Sequence, residues 1–358
     1  MRVIDHPEPE LRSDTQVKLR MLDVGICGTD KEIVAFQYGT PPAGSEYLVI
    51  GHESLGEVVQ TGAKASRLRP GDLAVLTVRR PCDHPDCVAC REGRQDFCYT
   101  GDFTERGIKG VHGYMTELVV EDEQYVRPLP ASLREIGVLT EPLTIAEKAI
   151  AQLWDIQKRL PWACATGNGN PAECRNVVVL GAGPVGLLGA MAFTVAGFSV
   201  TVYSRTASHG DKDDIVSGFG GRFIAAETHT VEQMAQEVGR IDVVYEAVGA
   251  SSLAFEVVKT IGPNAVFIFT GVPGRKGPIE VDTDTIMRDM VLENQVVFGT
   301  VNAPPESFDA AVRDLGTFMQ RWPNAVKGIV TGRYAIDQAL EPLTGHTGGI
   351  KNVITIGR

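Results

Sequence analysis

The sequence predicts an α/β chain of two domains: a turn-rich, β-barrel-like domain and a doubly wound parallel-sheet domain. Three observations predict this. At 358 residues the chain exceeds the ~250–300 residues over which one core usually grows. Up to about Leu143 it breaks into short apolar segments punctuated by Gly and Pro, the pattern of a β-rich domain. Beyond that point strand-length and helix-length apolar runs alternate, as βαβ units require.

Residues 17–24 read as a strand leading to the Cys27 loop. Residues 55–60 and 73–78 read as two more, the second entered through Arg69-Pro70-Gly71-Asp72. Residues 144–159 carry helical spacing, with Ile145, Ala149, Leu153 and Ile156 on one face. A polar, turn-prone insert comes next at 166–171. Strand 177–180 then precedes helix 185–196, and strands 199–203, 223–226, 241–247 and 265–270 continue the series, with a helix at 251–261. The series is expected to close there, and from about Val296 the chain returns to the first domain, where 353–356 forms a last strand. The expected domains are 1–146 with 297–358, and 147–296.

Composition narrows the function. A net charge of -11, with 34 basic against 45 acidic residues and no basic run, gives no support to nucleic-acid binding. The N-terminus has no apolar signal region. Residues 176–204 carry no charge and are long enough to span a bilayer. But Gly181, Gly183, Pro184, Gly186 and Gly189 interrupt them, so a buried strand and helix explain them better and no membrane partner is expected. Four of the seven cysteines crowd between Cys82 and Cys98. That reads as metal binding in a reducing, cytoplasmic compartment rather than a disulfide framework. Cys164 and Cys174 flank the polar insert and read as simple buried thiols.

Gly181-Ala182-Gly183-Pro184-Val185-Gly186 follows a strand and opens a helix. The first glycine permits the tight turn, the second lets backbone approach a pyrophosphate, and the third lets helix pack on strand. The end of the next strand selects the dinucleotide. An acid there would hold a ribose 2′-hydroxyl, but Val202-Tyr203-Ser204-Arg205 has none. Ser204 and Arg205 can bind and neutralise a 2′-phosphate. The reading is NADP, with NAD tolerated.

Cys27, His52, Glu53 and Glu141 bring sulfur, imidazole and carboxylates from separate segments, a donor set that suits catalytic zinc. Glu53 and Glu141 need not bind at once; one can alternate with water or substrate. Asp30 can accept from the second ring nitrogen of His52 and orient it, and Thr29 can relay a proton. Cys82, Cys87, Cys90 and Cys98 supply four thiols, matching a closed structural zinc site. Arg79, Arg80, Arg91 and Arg94 are expected to offset the thiolates, and His84 can substitute for one thiol.

The chain resembles the zinc-dependent medium-chain dehydrogenases, and among them the archaeal-type glucose 1-dehydrogenases. The resemblance runs over nearly its whole length. It rests on Cys27-Gly-Thr-Asp30, Gly51-His-Glu53, Arg79-Arg80-Pro81-Cys82, Cys98-Tyr-Thr-Gly101, Gly110-Val-His-Gly-Tyr-Met115, Thr140-Glu-Pro-Leu143, Glu147-Lys148, Lys158-Arg-Leu-Pro161, Gly181 to Gly186 and Val301-Asn302. It implies a GroES-like catalytic domain, a Rossmann domain and a homo-oligomer, tetramer or dimer. It also implies catalytic zinc at Cys27, His52, Glu53 and Glu141, and a proton relay at Thr29. Glu105 falls at a sugar contact, Asn302 beside the nicotinamide, and Ser204 with Arg205 at the 2′-phosphate. Three positions depart from the pattern. The start lacks a strand that relatives carry ahead of Glu8-Pro9-Glu10, so the barrel is expected to lack an edge; the first gap in the cysteine cluster is long; and Ile145 replaces an acidic sugar contact.

The implied reaction is oxidation of an aldose, D-glucose foremost, at C1 to its lactone. Zinc would polarise the hydroxyl while hydride passes to the nicotinamide. Glu105 and His112 are candidate sugar anchors, although His112 beside Gly113 reads equally as a turn residue. The same scaffold could oxidise a polyol or another alcohol. A zinc-free quinone reductase and a non-catalytic dinucleotide-binding protein are more distant readings, and the complete donor set argues against both.

Overall fold

The computed structural model describes residues 1–162, 170–205, 211–274, 277–345 and 347–357. The expected insert at 166–171 and Cys164 fall largely or wholly outside them. The chain divides into two compact units. The first comprises Met1–Thr144, Asn302–Gly316 and Val330–Arg358; the second comprises Ile145–Val301 and Thr317–Ile329.

The first unit begins with strand β1 (Gln16–Gly25), a short helix α1 (Gly28–Val34), and strands β2 (Glu53–Thr61) and β3 (Leu73–Leu76). Three short strands come after them, β4 (Arg79–Arg80), β5 (Thr104–Arg106) and β6 (Gly110–Val111), with helix α2 (Val88–Arg91) between the first two. Strands β7 (Leu118–Asp122) and β8 (Val126–Leu129) come next, then helix α3 (Thr140–Gln157). In β1 the apolar residues Val17, Leu19, Met21 and Val24 are all buried, and they meet Val58, Leu76, Tyr114 and Val126 in one core. Its register against β2 shifts between Lys18 and Leu19 and again between Met21 and Asp23. Such bulges bend a strand and re-aim the segment beyond it; in β1 that segment is the Cys27 loop.

The second unit holds strand β9 (Asn176–Leu180), helix α4 (Pro184–Ala196) and strand β10 (Ser199–Ser204). Helix α5 (Asp211–Gly218), strand β11 (Arg222–Ala225), helix α6 (Val231–Val238) and strand β12 (Val243–Glu246) continue it. Helix α7 (Ser251–Val258), strand β13 (Val266–Phe269), helix α8 (Thr283–Leu292) and strand β14 (Val296–Gly299) complete its sheet. The strand order is β11-β10-β9-β12-β13-β14, every pairing parallel. The order reverses between β9 and β12, the switch point at which open α/β sheets take ligands. The uncharged stretch resolves into β9, α4 and β10. Among the described residues no helix is long and apolar enough to cross a membrane.

The parallel series does not close at residue 270, as the sequence led us to expect. Strand β14 adds a sixth member beside β13. Four residues after a polar Glu293-Asn294-Gln295 turn carry too little periodicity to be seen, and backbone pairing supplies what the pattern lacks. Cys174 is half-buried in a turn and disulfide-bonded, not a simple buried thiol.

Beyond helix α9 (Pro305–Arg321) the chain adds strands β15 (Val330–Ala335) and β16 (Lys351–Thr355) to the first unit. Its main sheet then runs β15-β16-β1-β2-β3-β8, with β7 also on β1. Strand β16 lies antiparallel to the end of β1, pairing Val353 with Gly25. That register brings Lys351 to the Cys27 loop.

Candidate metal centre and dinucleotide site

Cys27, His52 and Glu53 offer ligand atoms that all lie within 4.8 Å of one another. Cys27 caps α1, where β1 ends, and His52 and Glu53 open β2. Two glycines make room. A Cβ on Gly25 would fall 2.0 Å from Glu53 Oε2, and Gly51, at φ +93°, would press a Cβ on Met115 and Val24. Sulfur, imidazole and carboxylate in one buried spot fit a zinc ion by donor chemistry.

Asp30 is fully buried and locks this corner. Its Oδ2 accepts from Cys27 N at 2.8 Å and its Oδ1 from Gly51 N at 3.2 Å, while His52 Nδ1 stands 3.4 Å from Oδ1. Burial alone would lower the His52 pKa, but Asp30 and Cys27 hold it well above the usual value. Thr29 Oγ1 lies 3.9 Å from Cys27 Sγ. Glu141, in the first turn of α3, does not join the trio. Burial, with Glu53 and Asp30 adding to it against His52 and Lys351, pushes its pKa up to about 7. The pocket thus gathers a thiol, an imidazole and carboxyl groups, donors of the kind a zinc ion takes.

One partner was not legible in the sequence. Lys351 donates to both oxygens of Glu53, at 2.7 and 2.6 Å, and to Ile26 O at 3.0 Å. All three ammonium protons are therefore used in a site where the side chain is 2% exposed. Its only sequence signal is a lone Lys opening an apolar strand.

Glu105 is buried. Its Oε1 accepts from Arg79 Nε at 3.0 Å and from Asn302 Nδ2 at 3.0 Å. Asn302, at φ +58°, thus stands beside the expected sugar contact. His112 Nδ1 accepts from Val49 N at 3.1 Å, and the ring stacks on Tyr47 with centroids 5.1 Å apart.

Cys82, Cys87, Cys90 and Cys98 also lie within 4.8 Å of one another, on the excursion between β4 and β5. The arginines expected to offset these thiols bond oxygen atoms. Arg79 bonds Glu105, Arg80 bonds Glu121, Arg94 bonds Asp96, and Arg91 bonds Pro85 O. For Arg79 and Arg80 the partners are carboxylates contributed from elsewhere in the fold, while Arg94 and Arg91 take local oxygens. Local donors act instead. Burial raises Cys98, but the Thr100 hydroxyl and the Gly101 and Thr100 N–H groups bring it down to about 6. Burial pushes Cys90 up to about 12. His84 is not among the four; it bonds Asp102 at 2.5 Å.

In the second unit the glycine loop has the form a dinucleotide needs. Gly181 has φ +100°, and a Cβ on Gly186 would fall 2.1 Å from Gly181 O. A Cβ on Gly183 would meet nothing within 4 Å, so that backbone is open to an incoming pyrophosphate. Pro184 starts α4 and Val185 is next to it, leaving the helix N-terminus as an anion site. Ser204 ends β10 half-buried, and Arg205 is exposed beside it.

Residues 134–356 match the family model described as Glucose dehydrogenase C-terminus. The chain belongs to the glucose dehydrogenase family, among the zinc-dependent medium-chain dehydrogenases. Family membership extends to the N-terminal part, where residues 13–131 match the Alcohol dehydrogenase GroES-like domain. The chain is 37% identical over 357 residues to glucose 1-dehydrogenase of Methanocella arvoryzae, spanning 100% of this chain and 96% of that one. It is 38% identical over 316 residues to glucose 1-dehydrogenase of Thermoproteus tenax, spanning 88% and 84%. A structure of Haloferax mediterranei glucose dehydrogenase in complex with NADP, Zn and gluconolactone has the same fold, with TM-score 0.87 and 31% identity over 99% of this chain and 96% of that one.

Proposed function

We propose that this chain oxidises the C1 hydroxyl of an aldose, D-glucose foremost, to the lactone, with NADP as hydride acceptor and zinc held by Cys27, His52 and Glu53, with Glu141 as an exchanging fourth ligand. The observation that carries the reading is the full-length family match joined to the Cys27–His52–Glu53 trio. When bound, zinc polarises the hydroxyl and NADP accepts the hydride. The chain's own residues do the rest. Asp30 fixes the loop of Cys27 and the ring of His52. Thr29 holds a hydroxyl beside the thiol, placed to pass a proton outward. Glu105, braced by Arg79 and Asn302, offers its second oxygen to a sugar hydroxyl, which would be costly to bury unpaired; His112 is a second anchor. Cys82, Cys87, Cys90 and Cys98 hold a structural zinc that closes the excursion between β4 and β5.

A steady-state panel of glucose, galactose, xylose and sorbitol with both dinucleotides tests the substrate. The expected outcome is the highest kcat/KM for an aldose with NADP. Preference for sorbitol would favour the polyol reading, for which Ile145 in place of an acidic sugar contact speaks. For the cofactor, Arg205→Ala should weaken NADP about 10- to 100-fold, the range of a lost charge-assisted contact, and leave NAD within about twofold. Equal losses for the two would refute the 2′-phosphate assignment.

The chain's assembly as a homo-oligomer, dimer or tetramer, is supported by β14. Among the described residues it pairs on one side only, and near it α8 exposes Met287, Val291 and Leu292. Exposed apolar clusters of this kind mark interaction surfaces; a monomer at sedimentation equilibrium would overturn the assignment. The thiol cluster supports a cytoplasmic location, and the bonded Cys174 runs against it.

A further inference from the structure

The glycine fingerprint does not account for what fixes the loops around it. A buried acid does. Glu246 ends β12, beside the point where the strand order reverses, and is 1% exposed. Among the described residues its carboxylate has no cation partner and bonds only backbone. Oε1 accepts from Val248 N at 2.8 Å and Gly249 N at 2.7 Å; Oε2 accepts from Gly271 N at 3.2 Å. Its carbonyl accepts from Thr270 N at 3.0 Å, from Thr270 Oγ1 at 2.6 Å and from Gly271 N at 3.2 Å, so the Gly271 N–H is shared between carbonyl and carboxylate. One residue therefore ties the loop after β12 to the loop after β13.

The junction has no slack. A Cβ on Gly271 would fall 2.2 Å from Gly249 N and 2.7 Å from Glu246 Oε2. A Cβ on Gly249, at φ +69°, would fall 2.6 Å from Val272 O. The tie also reaches the fingerprint, because Val248 Cγ2 lies 2.5 Å from where a Cβ on Gly181 would stand. Burying a charge without a counter-ion is costly. A carboxylate can accept on both oxygens, whereas an amide accepts on one. An acid is thus the side chain that can hold both loops at once.

We propose that Glu246 is a positioning residue for the dinucleotide, its carboxylate setting the shape of loops 247–249 and 270–273 that receive the nicotinamide half. The inference rests on the dinucleotide reading under Proposed function. Ligands of such sheets lie beyond the carboxyl ends of the strands at the switch point. With pyrophosphate at the N-terminus of α4 and the adenosine phosphate toward Ser204 and Arg205, the loops after β12 and β13 are left for the ring.

The test compares NADPH with adenosine 2′,5′-bisphosphate, which lacks the nicotinamide half, by fluorescence and calorimetric titration of the full chain. In Glu246→Gln the NADPH Kd should rise about tenfold or more, since the amide NH2 must turn a donor toward backbone N–H groups that the carboxylate accepts from. The bisphosphate Kd and the zinc content should stay unchanged. Glu246→Asp, which keeps both acceptor oxygens but shortens their reach to the two loops, should shift NADPH in the same direction by about threefold and supplies the answer if the Gln variant does not fold. Unchanged NADPH binding in the folded variants, or an equal loss for both ligands, overturns the positioning role. Wild-type protein that binds neither ligand would instead overturn the dinucleotide reading.

Discussion

Cys27→Ala should remove turnover and one zinc equivalent and leave NADP binding intact. The expected fall in kcat/KM is at least about 10³-fold, since stabilising the developing alkoxide is worth several kcal/mol. The variant should nevertheless fold. Cys27 is half-buried at the start of α1, and Asp30, which accepts from its backbone N–H, keeps Gly51 and His52 in place. The second zinc equivalent, on Cys82, Cys87, Cys90 and Cys98, should remain. Elemental analysis with an NADPH titration reads both, and full activity in a variant lacking that zinc would end the zinc mechanism.

Lys351→Met carries the largest expected cost in stability. It leaves the Glu53 carboxylate, 1% exposed, buried and unpaired. Breaking a buried pair from one side costs about 3–5 kcal/mol. The double variant Lys351→Met, Glu53→Gln should recover most of that loss, because the orphaned charge is gone. Burial alone would lower the Lys351 pKa, but Glu53 and Cys27 raise it above the usual value. A group with a raised folded pKa contributes fully below its unfolded pKa, about 10.4. The contribution then disappears only as pH climbs through the raised value. The wild-type advantage over the single variant should therefore be flat from neutral pH to about 10 and shrink above it. Urea unfolding with zinc chelated measures this; a loss under about 1 kcal/mol, the worth of an exposed pair, would show that the ammonium does not sustain Glu53.

The fold class was legible because the chain changes its hydrophobic period where it changes architecture, and because Gly181, Gly183 and Gly186 sit between a strand and a helix. Cys27, His52 and Glu53 were legible because two short motifs carry them. Other features depend on residues far apart in the chain. Lys351 stands 298 residues from Glu53, and only the pairing of β16 with β1 brings them together. Arg79 and Arg80, beside the cysteine cluster, misled for the same reason. They are near the thiols in sequence, but Glu105 and Glu121 reach them through the fold at separations of 26 and 41 residues. Glu246 is adjacent to a strand end that pattern reading did locate, yet nothing in its neighbours marks an acid bound only to backbone.

The most direct measurement of the zinc centre is an anomalous difference map at the zinc edge from crystals of the wild-type protein. Two peaks are expected, one within the four-cysteine cluster. The other should lie about 2.3 Å from Cys27 Sγ and about 2.0–2.1 Å from a ring nitrogen of His52, the bond lengths of zinc to thiolate and imidazole. A protein saturated with zinc that shows no peak between Cys27 and His52 would contradict a zinc-dependent oxidation at this site.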